Sequence, residues 1–217
     1  MKKILWCDVE TTGLDSNKHG IIQLALLMDI DNKIVDSLLL NIQPFDEDMT
    51  GFVLNEQELN FGSIKENTAA MDEAKLPVGN LKYADLLINM SPKDAYNKLT
   101  AFLNKYINRY EKVSITADKK AWFGGYNAQF DLNFMKQFFL KNGDKWLASY
   151  IRWRLLDPMY LLYNQDYLVE EDKRLPSMKL GEVCIHYEID HIPHDPMSDI
   201  KATRKLWYML MRLKDVT

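Results

Sequence analysis

Apolar positions in the first forty residues fall into three runs. Ile4-Leu5-Trp6-Cys7 is continuous and ends against acidic residues and Thr11-Thr12-Gly13, the pattern of a strand buried on both faces. Ile21 to Met28 and Ile34 to Leu40 flank Asp29 to Lys33, where Asp and Asn favour a turn, so they predict a hairpin after the first strand. From about Gln43 to Met90 the periodicity is lost. Pro44, the acidic run Asp46-Glu47-Asp48 and scattered Gly and Asn mark a long irregular excursion, and a loop of that length in a domain is usually either functional or mobile.

Periodicity returns at Ser91-Pro92-Lys93-Asp94, with Ser as N-cap and Pro at the first helical position. Ala95, Leu99, Phe102, Leu103 and Ile107 continue the helix. Ala121 to Tyr126 predicts a strand, followed by a helix through Phe134, Met135 and Phe138. Then come an apolar stretch from Leu155 to Tyr163, a helix over Met178 to Tyr187, and a last helix from about Pro196 to Leu213. No repeat or linker interrupts the order. Strands first, then strands alternating with helices, predict one α/β domain over residues 1–217, a mixed sheet with helices packed on it.

A chain of 217 residues buries a core without metal or disulfide staples. Cys7 and Cys184 are far apart and form no CxxC, which points to a reducing compartment. No apolar run is long enough to cross a bilayer, so a cytoplasmic protein without membrane attachment is expected. The net charge of -4 argues against a protein that coats DNA non-specifically. The distribution is uneven: residues 101–154 carry 10 basic and 4 acidic groups, an excess of +6. That excess is either a solvated helical face or a surface that steers a polyanion.

Three acidic motifs carry the candidate chemistry. Alternation in the first strand puts Ile4, Trp6, Asp8 and Glu10 on one face, so two carboxylates project together from its end. Adjacent carboxylates repel, and Mg²⁺ or Mn²⁺, which prefer carboxylate oxygens, would relieve the repulsion. In Asn127-Ala128-Gln129-Phe130-Asp131, a capping Asn127 places Asp131 at the fourth helical position, on the stripe of Phe134, Met135 and Phe138. A capping or core hydrogen bond would account for Asp131 equally well. In His194-Asp195-Pro196-Met197-Ser198-Asp199, an Asp195 cap places Asp199 at the same position of the last helix, with His194 just outside it. His186 and His191 lie nearby, and a surface or core role is the default for each; only His194 has an aspartate five residues on. Three carboxylate-bearing elements aimed at one core, with a histidine beside them, describe a two-metal phosphoryl hydrolase.

These residues resemble a known family. Asp8-Val9-Glu10-Thr11-Thr12-Gly13-Leu14 is similar to the first motif of DnaQ-like 3′→5′ exonucleases, Gly125 through Asp131 to their second, and His194 through Asp199 to the H-x-x-x-x-D motif of the DEDDh branch. The resemblance implies a ribonuclease H-like fold, a five-stranded mixed sheet flanked by helices. It implies that Asp8, Glu10, Asp131 and Asp199 hold two divalent cations, Mg²⁺ or Mn²⁺, and that His194 is the general base. Asp195, beside that histidine, would raise its pKa by charge. The backbone at Thr11 and Thr12 would meet the terminal nucleotide, Leu14 its base, and Asn127 and Phe130 would complete the substrate contacts. The implied substrate is nucleic acid with a free 3′ end. Single-stranded DNA is favoured over RNA by the Thr11-Thr12-Gly13 form of the first motif. The resemblance gives residues 43–90 no role. Two alternative readings are an RNA-trimming exonuclease and a proofreading-type subunit that docks on a DNA polymerase, for which residues 43–90 would be the docking surface. Pro158 stands where relatives often carry Thr, so Asp157 receives no function.

Overall fold

The computed structural model describes residues 2–45, 48, 52–55, 58–61, 89–109, 119–193 and 195–212. Its centre is β1 (Lys3–Thr11), in which Leu5, Trp6 and Cys7 are wholly buried. β2 (Ile21–Ile30) pairs antiparallel with β1, and β3 (Lys33–Asn41) antiparallel with β2. The predicted hairpin turns at Asp31 and Asn32, both at positive φ, the geometry that a tight two-residue turn requires of its centre. On the other side of β1, β6 (Ala121–Gly124) and β7 (Ile151–Leu156) add in parallel, giving the order β3-β2-β1-β6-β7. This is the expected five-stranded mixed sheet. β4 (Phe52–Asn55) and β5 (Glu58–Phe61) form a separate hairpin within the 43–90 excursion. An Ile42–Met90 bridge closes the excursion, and most of its remainder, including the expected polymerase-docking surface, lies outside the described residues.

Alternation in β1 sorts the helices. Leu5, Cys7 and Val9 face α1 (Pro92–Tyr106) and α2 (Ala128–Lys141), which bury Leu99, Phe102, Leu132, Met135 and Phe138 against them. Ile4 and Trp6 face α5 (Pro196–Leu210), where Ile200, Met197 and Trp207 cover them. α3 (Pro158–Leu168) and α4 (Leu180–His186) pack against the outer side of α5 through Leu162, Val183, Cys184, Ala202 and Leu206. Ser91 caps α1 and Asp195 caps α5, as the sequence predicts, each accepting from an N–H three residues on.

The apolar stretch from Leu155 to Tyr163 is not one element: it divides into the end of β7 and the start of α3 at Asp157-Pro158. β7 escapes sequence reading because Arg152 and Arg154 break its apolar pattern. Those residues are tolerable because, among the described residues, β7 is an edge strand of the sheet.

A buried polar cluster fixes α5 against the β2–β3 hairpin. Asp29 Oδ2 accepts from Arg204 Nε at 2.7 Å and from Tyr208 Oη at 2.8 Å, while Arg204 also donates to the Asn32 carbonyl at 2.8 Å. Asp29 and Arg204 are both buried, so removing one leaves the other charge without compensation. Asp29→Ala is expected to destabilise the fold by about 3–5 kcal/mol in denaturant unfolding. A loss well under 1 kcal/mol would show that the cluster does not hold α5.

Candidate active site

Asp8 and Glu10 continue the Ile4–Trp6 face of β1 and therefore point toward α5, whose fourth residue is Asp199. Carboxylate oxygens of Asp8, Glu10 and Asp199 lie within 4.8 Å of one another. The Asp195 cap and Pro196 start α5 at the position that delivers Asp199 there.

Asp131 arrives from the other face. It is the fourth residue of α2, as expected, and is 3% exposed; its Oδ1 accepts the Val9 N–H at 3.0 Å. Its charge acts directly on Asp8 but does not join the three-carboxylate group. One glycine permits this approach. A Cβ on Gly125 would stand 2.9 Å from the Cys7 carbonyl and 3.3 Å from Ala128. Without a side chain there, the start of α2 closes onto the β1 backbone.

Asn127 is not the side-chain cap that its position predicts. It adopts the left-handed conformation (φ 59°, ψ 43°), its side chain makes no capping bond, and it is exposed. The orphan N–H groups are satisfied instead by Asp157, a residue the sequence left without a role. Asp157 accepts from Ala128 N at 2.8 Å, from Asn127 N at 3.3 Å and from Met159 N at 3.0 Å, so one buried carboxylate caps both α2 and α3. Linear reading missed it because the capped helix begins 29 residues earlier in the chain.

Of the other expected contacts, Leu14 is 60% exposed beside the acidic end of β1. Thr11 Oγ1 donates to the Gly13 carbonyl at 2.7 Å, and buried Thr12 Oγ1 accepts from Gly20 N at 3.0 Å, so both hydroxyls shape the loop itself. Phe130 stacks on Phe134 with centroids 4.8 Å apart and belongs to the packed flank of α2. His194, the expected base, lies outside the described residues. The Asp195 carboxylate, expected to act on that histidine, is engaged by Ser198 N at 2.8 Å. A histidine with no distinguishing spacing touches the cluster: His191 Nε2 lies 2.5 Å from Asp199 Oδ1, with its ring buried. Only the turn before α5 brings it there, so no sequence signal announced it.

Electrostatically the site is under load. Burial, then the charges of Asp131, Asp199 and Glu10, raise Asp8 well above the usual carboxylate range. Burial and Asp199 push Glu10 up to about 8. Asp131 is also raised by burial, against the opposing effect of the Val9 N–H. Among the described residues no lysine or arginine pairs with Asp8 or Glu10. Close-set hard oxygen donors of this kind suit a divalent cation such as Mg²⁺ or Mn²⁺.

A carboxyl raised in the folded state contributes stability that is complete below its unfolded pKa and lost as pH rises through the folded one. For Glu10 that window runs from 4.5 to about 8. In chelator, the thermal midpoint should fall across this window, and Glu10→Gln should flatten the fall. Added Mg²⁺ or Mn²⁺ should raise the midpoint most at the alkaline end, where the ligands are ionised. A midpoint indifferent to both cations would rule out the metal site. Asp157→Ala should lower stability by about 1–3 kcal/mol in denaturant unfolding, because buried N–H groups at two helix starts lose their acceptor. An unchanged midpoint would show that water replaces the carboxylate.

No protein-family model matches the chain, and no curated protein matches it in sequence. Solved structures do match. E. coli exonuclease I in complex with a dT13 oligonucleotide aligns over 97% of this chain at a TM-score of 0.67 and 15% identity. A product-bound exonuclease I aligns over 98% at 0.64 and 16%. A zinc-bound E. coli exonuclease I–ssDNA complex aligns over 95% at 0.63 and 16%. The chain spans about two fifths of the length of those proteins, 41%, 43% and 39% respectively. At this identity the likeness is one of fold, the ribonuclease H-like arrangement of a five-stranded mixed sheet flanked by helices.

Proposed function

We propose that this chain is a metal-dependent 3′→5′ exonuclease that hydrolyses the terminal phosphodiester bond of single-stranded DNA and releases nucleoside monophosphates. The observation that carries the reading is the meeting of Asp8, Glu10 and Asp199, with Asp131 beside them, at the end of the central strand. The shared fold of exonuclease I, seen with a dT13 oligonucleotide, supports the substrate class.

In this reading Asp8, Glu10 and Asp199 hold one divalent cation, and Asp8 with Asp131 holds a second. Bound there, such a pair supplies Lewis acidity toward the scissile phosphate and lowers the pKa of the attacking water. His194 accepts the proton of that water, a task suited to an imidazole whose ordinary pKa lies near neutrality. His191 acts through Asp199, restricting the rotation of the carboxylate it touches. Exposed Leu14 supports the terminal base, the backbone at Thr11 and Thr12 lines the 3′ end, and the exposed Asn127 amide faces the substrate.

The direct test uses 5′-labelled DNA and RNA strands with Mg²⁺ or Mn²⁺. Shortening from the 3′ end is expected, faster on DNA, and absent in Asp8→Ala and Asp199→Ala. His194→Ala should lower kcat by about 10²–10⁴-fold, whereas His191→Ala should chiefly raise the cation concentration needed for half-maximal rate. Persistence of the ladder in Asp199→Ala would remove the proposal, and equal rates on RNA would remove the DNA preference.

A further inference from the structure

β7 departs from its neighbour at one point. Trp122 and Phe123 are consecutive on β6, yet their partners on β7 are Arg152 and Leu155, so Trp153 and Arg154 are extra residues looped out of the ladder. Trp153 is 86% exposed, the most exposed of the large apolar side chains among the described residues, and Arg154 beside it is also exposed. The Arg152 guanidinium stacks over Trp122, 4.5 Å from the ring centroid. Lys145 and the 59%-exposed Trp146 precede the strand, with the ammonium 5.7 Å from the ring. The only acid between 142 and 156 is Asp144, already held by two Arg109 nitrogens at 2.6 and 3.0 Å. Aromatic rings and cations therefore alternate along the outer edge of the sheet.

A bulge and a pair of arginines would serve merely to protect an edge strand from pairing with another chain, but a tryptophan held out in water does the opposite. The other exposed aromatic stripe, Tyr160, Tyr163 and Tyr167 on α3, makes the contrast: residues 158–172 contain four acids and no base, so that face repels polyanions. We infer that the β7 edge, centred on Trp153 with Arg152 and Arg154, is a stacking shelf for bases upstream of the 3′ end of a single-stranded nucleic acid. The inference rests on the function proposed above and extends it from the reacting nucleotide to the strand behind it.

The sheet sets the reach. β7 lies two strands from β1, roughly 10 Å across at the usual strand spacing, and the pairing register puts Trp153 a few residues below Asp8. The separation is on the order of 15 Å, within the span of a strand's first few nucleotides. Stacking accepts any base, and the arginines engage the phosphates.

The test measures binding of a labelled oligothymidylate by fluorescence anisotropy in chelator, and KM for cleavage of a dinucleotide and of a longer strand in Mg²⁺. Trp153→Ala should weaken binding at least about 5-fold, with the KM penalty larger on the longer strand, and Trp153→Phe should keep most of the affinity. Arg154→Ala should lower the slope of log K against log salt by about one phosphate contact. Wild-type affinity in Trp153→Ala, or equal losses in the Ala and Phe variants, would overturn the shelf while leaving the nuclease intact. A dimer that Trp153→Ala dissociates with no change in oligonucleotide affinity would overturn it in favour of a protein contact. A wild-type chain that neither binds nor cleaves either strand would instead remove the function on which the shelf depends.

Discussion

Mutual repulsion among close-set, partly buried carboxylates is the constraint under which the rest of this structure operates. Asp8, Glu10 and Asp199 bring oxygens within 4.8 Å of one another, with Asp131 close behind. Two bare charges 4.8 Å apart oppose each other by about 3.5 kcal/mol even at an effective dielectric near 20. No side chain contributes enough to hold that arrangement alone. The scaffold must therefore over-determine the position of each acid, and it does so separately for each.

Asp8 and Glu10 ride on the central strand, clamped between an antiparallel and a parallel neighbour. Asp199 sits on a helix started by an aspartate–proline cap and anchored from behind by the Asp29–Arg204–Tyr208 cluster. Asp131 is delivered by a helix whose first N–H groups bond to Asp157, through a contact that Gly125 keeps open. The buried charge that anchors α5 and the one that caps α2 belong to the support of the site rather than to its chemistry. Asp29 accepts from Arg204 and Tyr208, and Asp157 from three backbone N–H groups.

The same sheet divides the surface by electrostatic character. Its central strand ends in acids, while its outer edge alternates rings and cations and continues the positive segment visible in the charge distribution. In the proposed function an acidic reaction centre would gain from a basic approach, because a polyanion must be attracted before its terminal phosphate meets carboxylates. The α3 face, rich in tyrosine and acid, lies outside that path.

Local physical rules were sufficient to read much of this protein from its residues. Continuous burial and alternation in β1, the hairpin turn, the caps at Ser91 and Asp195, and the fourth-position placement of Asp131 and Asp199 all follow from short-range periodicity, and all appear in the structure. What the fold alone decided involves partners far apart in the chain. Asn127 lost the cap to Asp157, the Leu155–Tyr163 run split between a strand and a helix, and His191 came against Asp199 through a turn with no spacing signature. Periodicity reports which face a residue occupies. It does not report which distant backbone N–H or carboxylate will be waiting there, because that is settled by how the sheet orders its strands and how closely the helices pack upon them.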